Sequence, residues 1–217
     1  MTASRHRTRL YIELSVAEGA AERLQASLAA VPAEAVLLRP AASGRPDPRA
    51  LVALVRAAQS KGVAALVAGD PGLAHEAGAD GVHLDWSAEI EDAYRAARAL
   101  LGADKIVGAS AGGSRHDAMT LAEAGADYIA FPLDEEASAA RVDTIAWWAE
   151  IFEVPSVALG LTDPARALEL AQAGADFLGV TIPPGQAPDD AAQRLRAIAQ
   201  AIDGDALDDA APGRRDV

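Results

Sequence analysis

Two carboxylates and a glycine-rich loop supply the residue types with which this chain could do chemistry. Asp70 and Asp85 each follow a short apolar run, and hard cations such as Mg²⁺ take carboxylate oxygens from neighbouring loops. Acidic residues at such places also serve as solvated turn formers, so a metal site and a simple turn both remain possible interpretations. The stretch SAGGS at 110–114 could hold a phosphate against backbone N–H groups, or form a loop in which Ser114 caps a helix.

The histidines and the tryptophan pair have simpler structural readings. His83 lies inside a strand-like run, and we expect it to be buried and hydrogen-bonded rather than a general base. His75 and His116 fall in helical patterns and are expected on the surface. In Trp147-Trp148 neighbouring residues face different ways on a helix, which predicts one core residue and one interface anchor. A homo-oligomer is therefore left open.

One four-residue phrase, AGAD, occurs three times, at 77–80, 124–127 and 173–176. Each copy follows a helical pattern and precedes an apolar run. Its Gly stands where a helix needs a left-handed residue to end, and glycine takes that conformation without steric cost. The repeat therefore predicts one αβ loop used several times, as expected for stacked repeats of one unit.

Eight apolar runs can be counted along the chain as predicted strands. They are 10–14, 35–39, 64–68, 81–84, 105–109, 128–131, 156–159 and 177–180. Several are continuously apolar, which is typical of parallel strands covered on both faces. Eight βα units predict a (β/α)₈ TIM barrel, with an open doubly wound sheet as the alternative. Active sites of such barrels lie where strands end, and the residues there are Arg39, Asp70, Asp85, Ser110, Gly160 and Thr181.

Composition excludes several classes of function. A chain of 217 residues with no cysteine has no disulfide, thiolate metal site or cysteine nucleophile. A formal charge of −13 argues against nucleic-acid binding, and no apolar run is long enough for a membrane span. The start lacks an apolar signal region, so we expect a cytoplasmic protein. We predict a mobile segment at 1–8, a barrel domain at 9–202 and an acidic, disordered tail at 203–217.

Beyond these patterns, five stretches resemble the thiamine phosphate synthase family and its thiazole tautomerase-like relatives. They are GADGVHL, IVGAS, GADYIAF, FEVPSVALG and AGADFLGV. The resemblance implies a barrel in which a pyrimidine pyrophosphate ionises and a thiazole phosphate nitrogen captures the carbocation. It also implies Mg²⁺ and cationic side chains around the departing pyrophosphate, and a phosphorylated thiamine precursor as the small-molecule partner.

The family's functional residues match this sequence only in part. The resemblance implies catalytic roles for Arg39 and Ser110, which also bind substrate, and a phosphate-backing role for Gly160. It implies Mg²⁺ at Asp70, with Asp85 or Glu89 replacing the second family aspartate, since Ala88 stands there. We add Thr181, at the end of the last strand, as a phosphate-binding candidate.

Two further glycine-rich segments and one acidic loop depart from the family pattern. The loop after the sixth strand carries Asp134, Glu135 and Glu136 where the family has a lysine. Gly112 stands where the tautomerase-like relatives have a histidine, and Leu161, in place of a second glycine, is expected to crowd the phosphate. The sequence thus leaves three hypotheses: a thiamine phosphate synthase-like enzyme, a non-catalytic paralogue that binds a precursor or a protein, and a barrel that takes a less anionic substrate.

Overall fold

A closed barrel of eight parallel strands forms the chain, which a computed structural model describes over residues 7–40, 46–133 and 138–208. The strands are β1 (Arg9–Val16), β2 (Ala35–Pro40), β3 (Ala64–Ala68), β4 (Gly81–Leu84), β5 (Ile106–Ser110), β6 (Ile129–Pro132), β7 (Ser156–Leu161) and β8 (Phe177–Ile182). The helices are α1 (Ala20–Ala30), α2 (Pro48–Gln59), α3 (Pro71–Glu76), α4 (Ile90–Leu101), α5 (Arg115–Glu123), α6 (Ser138–Ile151), α7 (Ala167–Gln172) and α8 (Pro188–Asp208). Each strand pairs with the next in the sequence, and β8 closes on β1. The predicted (β/α)₈ fold and all eight predicted strands are confirmed.

The apolar residues divide into two cores because successive side chains of a strand point to opposite faces. A smaller cluster fills the barrel interior and includes Tyr11, Leu37 and Tyr128. A larger cluster lies between the strands and the helices. One member of the tryptophan pair was predicted to be a core residue, and it is Trp148, which is fully buried in this outer cluster. Trp147 is partly buried against the Arg115 guanidinium, 4.5 Å from its ring centre, and its role as an interface anchor stays a prediction.

The AGAD glycines end the preceding helices as predicted. Gly78, Gly125 and Gly174 have φ of 69°, 94° and 93°, values that residues with a Cβ rarely adopt. The backbone N–H of each glycine donates to a carbonyl three residues earlier, at the end of the helix. The chain therefore leaves α3, α5 and α7 in the same way each time.

The AGAD aspartates have a role that the sequence pattern did not reveal. Asp80 accepts a hydrogen bond at 2.8 Å from the backbone N–H of Ala65 in β3. Asp127 accepts from an N–H of β5 at 2.7 Å, and Asp176 from an N–H of β7 at 2.8 Å. Each aspartate precedes one strand, and its carboxylate accepts a hydrogen bond from the backbone of the neighbouring strand. The phrase is thus a connector that sets the register of strand pairs β3–β4, β5–β6 and β7–β8.

The predicted helix starts are also found. Asp47, Asp163 and Ser114 each accept a hydrogen bond from the backbone N–H two residues later, as capping side chains do. The reading of Ser114 as a cap is confirmed, although its partner is the N–H of His116. His116 on α5 and His75 on α3 are exposed, as expected.

The predicted terminal segments fall mostly at the edges of the described chain. Residues 1–6 and 209–217 lie outside the described residues, and so do the acidic loop residues Asp134, Glu135 and Glu136. The mobile start and the disordered tail therefore stay predictions, while α8 continues to Asp208. Within the described ranges no helix combines the length and the apolar character that crossing a membrane requires.

Candidate functional site at the barrel mouth

Polar side chains gather at the carboxyl ends of the strands, a region that we call the mouth: Glu13, Arg39, His83, Asp85, Ser110 and Thr181. Arg39 at the end of β2 lies between two carboxylates. Its Nε donates to Oε1 of Glu13 at 2.6 Å, and its Nη1 donates to Oδ2 of Asp85 at 2.7 Å. The Thr181 hydroxyl donates to the other oxygen of Glu13. Four of these side chains, from β1, β2, β8 and the loop after β4, thus form one hydrogen-bonded group.

Sequence reasoning missed Glu13. Its carboxylate is buried, and it is the acidic residue within the otherwise apolar run LYIEL. A charge at an inward strand position is costly without a partner. That cost is the signal that could have identified Glu13 as a site residue, and Arg39 supplies the partner.

The electrostatics of Arg39 follow from its two neighbours. Partial burial acts to lower the pKa of Arg39, but the hydrogen bonds and charges of Asp85 and Glu13 outweigh it and raise that pKa. The guanidinium is therefore permanently charged. With two carboxylates beside one guanidinium, the group carries one more negative than positive charge.

A second hydrogen-bonded chain runs from the mouth into the barrel interior. The Nε2 atom of His83 lies 2.9 Å from Oγ of Ser110, and Nδ1 lies 2.8 Å from the hydroxyl of Tyr128. The Tyr128 hydroxyl lies 2.9 Å from that of Tyr11. His83 is fully buried and hydrogen-bonded, as the sequence predicted. Its neighbours in this chain, Tyr11 and Tyr128, were not predicted.

Burial determines the protonation of this chain. Burial lowers the pKa of His83 to about 4, against an opposing effect of Asp85. Burial also raises the pKa of both Tyr11 and Tyr128. At neutral pH the imidazole is therefore uncharged, and both phenols keep their hydrogens.

Gly108 makes room for this chain. A Cβ at position 108 would lie 2.0 Å from Cζ of the Tyr128 ring, which no real side chain tolerates. The Tyr128 ring stacks on the imidazole of His83 with 5.7 Å between ring centres. The inward glycine of β5 is thus a condition for the histidine–tyrosine contact.

The described carboxylates do not assemble a Mg²⁺ site. Asp70 accepts a hydrogen bond at 2.9 Å from the backbone N–H of Leu73 and so caps α3. Asp85 forms an ion pair with Arg39. A metal ion would have to compete with this guanidinium for the Asp85 carboxylate. Over the described ranges, no three His, Asp or Glu side chains converge as metal ligands would. Mg²⁺ binding by Asp70 and Asp85 stays a prediction.

The remaining predicted positions lie around the mouth but do not all join it. Gly160 has φ of 98° at an irregularity between Leu159 and Leu161 in the β7–β8 pairing. This turn sends the Leu161 side chain into the outer core, where it is 1% exposed. The expectation that Leu161 crowds a phosphate is therefore wrong. The carbonyl oxygen of Gly112 accepts a hydrogen bond from the buried Arg141, and phosphate binding by this loop stays a prediction.

Comparisons with known proteins agree with this fold. The model of a family described as thiamine monophosphate synthase matches residues 13–182. A thiamine-phosphate synthase of Rhodospirillum centenum is 42% identical over 138 residues, which cover 61% of this chain and 65% of the relative. A thiamine-phosphate synthase of Hyphomonas neptunium is 40% identical over 59% of this chain and 60% of its own length. The match thus spans less than two thirds of these relatives.

Solved structures are similar over nearly the whole chain. A thiamine phosphate pyrophosphorylase from Pyrococcus furiosus superposes with a TM-score of 0.74 at 21% identity, covering 92% of this chain and 98% of that one. A structure described as native KDPGal gives a TM-score of 0.73 at 17% identity, covering 91% of this chain and 96% of that one. At such identities the likeness establishes the barrel and nothing about its chemistry.

Proposed function

The chain belongs to the thiamine monophosphate synthase family, and we propose that it acts in thiamine biosynthesis as a thiamine phosphate synthase-like transferase. The substrates would be a pyrimidine pyrophosphate and a thiazole phosphate. The bond between the pyrimidine's methylene carbon and the pyrophosphate oxygen breaks, and the thiazole nitrogen then bonds to that carbon. The observation that supports the proposal is that Arg39, Ser110 and Thr181, all inferred from sequence, lie in one mouth.

Arg39 would stabilise the departing pyrophosphate. Charge that develops on a leaving group is stabilised by cations already fixed in place, and Glu13 and Asp85 fix this guanidinium from two sides. The hydroxyls of Ser110 and Thr181 would hydrogen-bond the substrates. The left-handed Gly160 would present its backbone to the thiazole phosphate.

The two carboxylates of the mouth suit the other half of the reaction. When the pyrophosphate leaves, positive charge develops on the pyrimidine carbon. Glu13 and Asp85 together outnumber the single charge of Arg39, so the mouth keeps a negative potential. Such a potential stabilises a developing cation without any further rearrangement.

Mg²⁺ has no step in this proposal. The family resemblance implies that Asp70 and Asp85 hold it, yet one carboxylate caps a helix and the other pairs with Arg39. A dependence of turnover on Mg²⁺ would mean that these contacts rearrange when the metal pyrophosphate binds. Omitting Mg²⁺ from the assay below tests this point.

The test is a turnover assay on purified protein. It would be incubated with pyrimidine pyrophosphate, thiazole phosphate and Mg²⁺, and thiamine phosphate would be followed by chromatography. We expect product, with roughly a 10²–10³-fold loss in Arg39→Gln, because one charge-stabilising group is removed. Ser110→Ala should also lose activity, while Arg95→Gln, at an exposed position on α4, serves as the matched control. Well-folded protein that forms no product contradicts the proposal.

A second candidate function, binding of a precursor without turnover, is supported by the ion pairs of Arg39 with Glu13 and Asp85. Two carboxylates already pair with this guanidinium and outweigh its charge, which favours a ligand with less negative charge than pyrophosphate. A paralogue that binds such a precursor without turnover fits this geometry. Thermal stabilisation by the unphosphorylated thiazole alcohol, compared with the thiazole phosphate, separates the cases, since a ligand raises stability according to its affinity for the folded state.

A further inference from the structure

The two carboxylates that pair with Arg39 are held very differently. Glu13 lies at an inward position of β1, and its side chain is 11% exposed. Its carboxylate accepts hydrogen bonds from Nε of Arg39 and from the Thr181 hydroxyl. Asp85 lies in the loop after β4, and its side chain is 52% exposed. The two partners of Arg39 therefore differ in how easily water or a ligand can take their place.

The Asp85 side chain has one hydrogen-bond partner within the described part of the chain. Its Oδ2 atom accepts from Nη1 of Arg39 at 2.7 Å. Its Oδ1 atom lies 3.7 Å from Nε2 of His83, which is beyond hydrogen-bond distance. Exposed ion pairs contribute little to stability, because water solvates both groups when they part. The Asp85 carboxylate is thus exchangeable, whereas the Glu13 carboxylate is held by two bonds.

The geometry of the guanidinium makes this difference matter for a phosphate. A phosphate binds a guanidinium best through two neighbouring N–H groups at once. Glu13 occupies Nε on one edge of Arg39, and Asp85 occupies Nη1 on the other. A phosphate on the second edge would share Nη1 with the Asp85 carboxylate, and two negative groups so close repel each other. Bidentate binding is therefore opposed until a carboxylate leaves, and Asp85 is the one that can.

We propose that Asp85 determines the charge specificity of the mouth: it pairs with Arg39 in the free protein as an internal competitor, and a phosphate or pyrophosphate group binds Arg39 by displacing it. A ligand without phosphate needs no such exchange, so Asp85 shifts the preference of the mouth toward less anionic ligands. The inference rests on the proposed function for the identity of the natural ligand. The exchange itself concerns any phosphate-bearing anion.

The test is a double-mutant cycle on ligand binding. Calorimetry measures the affinity of the full-length protein for inorganic pyrophosphate in a buffer with a chelator, so that a role of Asp85 as a Mg²⁺ ligand does not enter. Asp85→Asn keeps the shape of the side chain and removes its charge, and we expect about 3- to 10-fold tighter binding. In Arg39→Gln, adding Asp85→Asn should neither restore binding nor change the affinity by more than about 2-fold, because the guanidinium for which Asp85 competes is gone.

Two controls separate this exchange from a general effect of charge. Asp92→Asn makes the same change at an exposed aspartate that pairs with Arg95 at 3.1 Å on α4, and it should leave the affinity for pyrophosphate within about 2-fold of the wild type. The unphosphorylated thiazole alcohol should not bind Asp85→Asn more tightly than the wild type. Asp85→Ala also lacks the carboxylate, and it should bind pyrophosphate more tightly than the wild type.

Several results would overturn the proposal. A pyrophosphate affinity that does not rise in Asp85→Asn and Asp85→Ala would mean that the carboxylate does not compete. An equal rise in Asp92→Asn, or a rise of the same size in the Arg39→Gln background, would reduce the effect to net charge. A parallel rise for the thiazole alcohol would remove the specificity for phosphate. Because these measurements involve no catalysis, a failed turnover assay leaves them standing, and their failure leaves the synthase proposal to the turnover assay.

Discussion

The Nε atom of Arg39 lies 2.6 Å from Oε1 of Glu13, on the neighbouring strand of the barrel. The Glu13 side chain is 11% exposed and that of Arg39 is 30% exposed, so water screens this pair only in part. The Glu13 carboxylate and the Arg39 guanidinium are less exposed than the third charged group of the mouth, the Asp85 carboxylate. The consequences for stability can be measured directly.

Replacing Arg39 should cost more stability than replacing both partners. Arg39→Gln leaves the Glu13 carboxylate buried without its cation, and we expect a loss of about 1–3 kcal/mol in the free energy of unfolding. Adding Glu13→Gln should recover part of it, because no unpaired charge then remains. Urea denaturation measures both variants.

The control for this prediction is an exposed ion pair on α4. Glu91 pairs with Arg95 at 3.0 Å, and both side chains are well exposed. Glu91→Gln should change stability by less than about 0.5 kcal/mol. If the double variant at 13 and 39 is less stable than Arg39→Gln alone, the unpaired carboxylate is not the cause of the loss.

Acid should destabilise the protein through His83. Its folded pKa of about 4 lies below the ordinary value of 6.5, so the unfolded chain binds the proton more tightly. The stabilising contribution is complete above about pH 6.5 and falls as the pH drops toward 4, by up to roughly 1.4 kcal/mol per pH unit. Unfolding free energies of wild type and His83→Gln between pH 7 and 4 should therefore converge on acidification.

The exposed His75 provides the comparison for that experiment. The unfolding free energy of His75→Gln is measured over the same pH range as that of His83→Gln. A wild-type curve that stays parallel to that of His83→Gln would mean that the imidazole titrates normally in the folded protein.

A methyl group at position 108 should be poorly tolerated. Gly108→Ala places Cβ 2.0 Å from the Tyr128 ring, and overpacking in a core typically costs about 1–3 kcal/mol. Gly113→Ala, where nothing lies within 4 Å of the added atom, should change the melting temperature little. Equal melting temperatures for the two variants would refute the close contact.

The aspartates of the AGAD phrases should stabilise the barrel independently of any ligand. Asp176→Ala removes the acceptor for the Ser156 N–H, and a buried donor left unpaired costs about 1–3 kcal/mol. Asp80→Ala should behave alike, because Ala65 loses its acceptor. Asp104→Ala, at an exposed turn, should be neutral within about 0.5 kcal/mol. Chemical denaturation of the three variants checks this, and losses equal to that of Asp104→Ala would refute a connector role.

Much of the architecture could be predicted because its causes are local in the sequence. Apolar runs mark the strands, an Asp or Ser before the helix marks its start, and the glycine of AGAD marks its end. His83 could be assigned to the interior for the same reason, since an element's period places its residues on one face, whereas the sequence did not show which of Trp147 and Trp148 is the core residue. Glu13 was missed because nothing adjacent in the sequence shows its partner.

The sequence by itself determined the eight βα units, their order, and the candidate residues Arg39, Ser110 and Thr181 at the strand ends. Only the tertiary structure decided which inward side chains meet. It placed Glu13 beside Arg39, and it brought the hydroxyl oxygens of Tyr11 and Tyr128 to within 2.9 Å of each other across the interior. It also turned Leu161 away from the mouth. The physical reason is that strand register and barrel closure bring together residues far apart in the chain, and these contacts leave no periodic trace in the sequence.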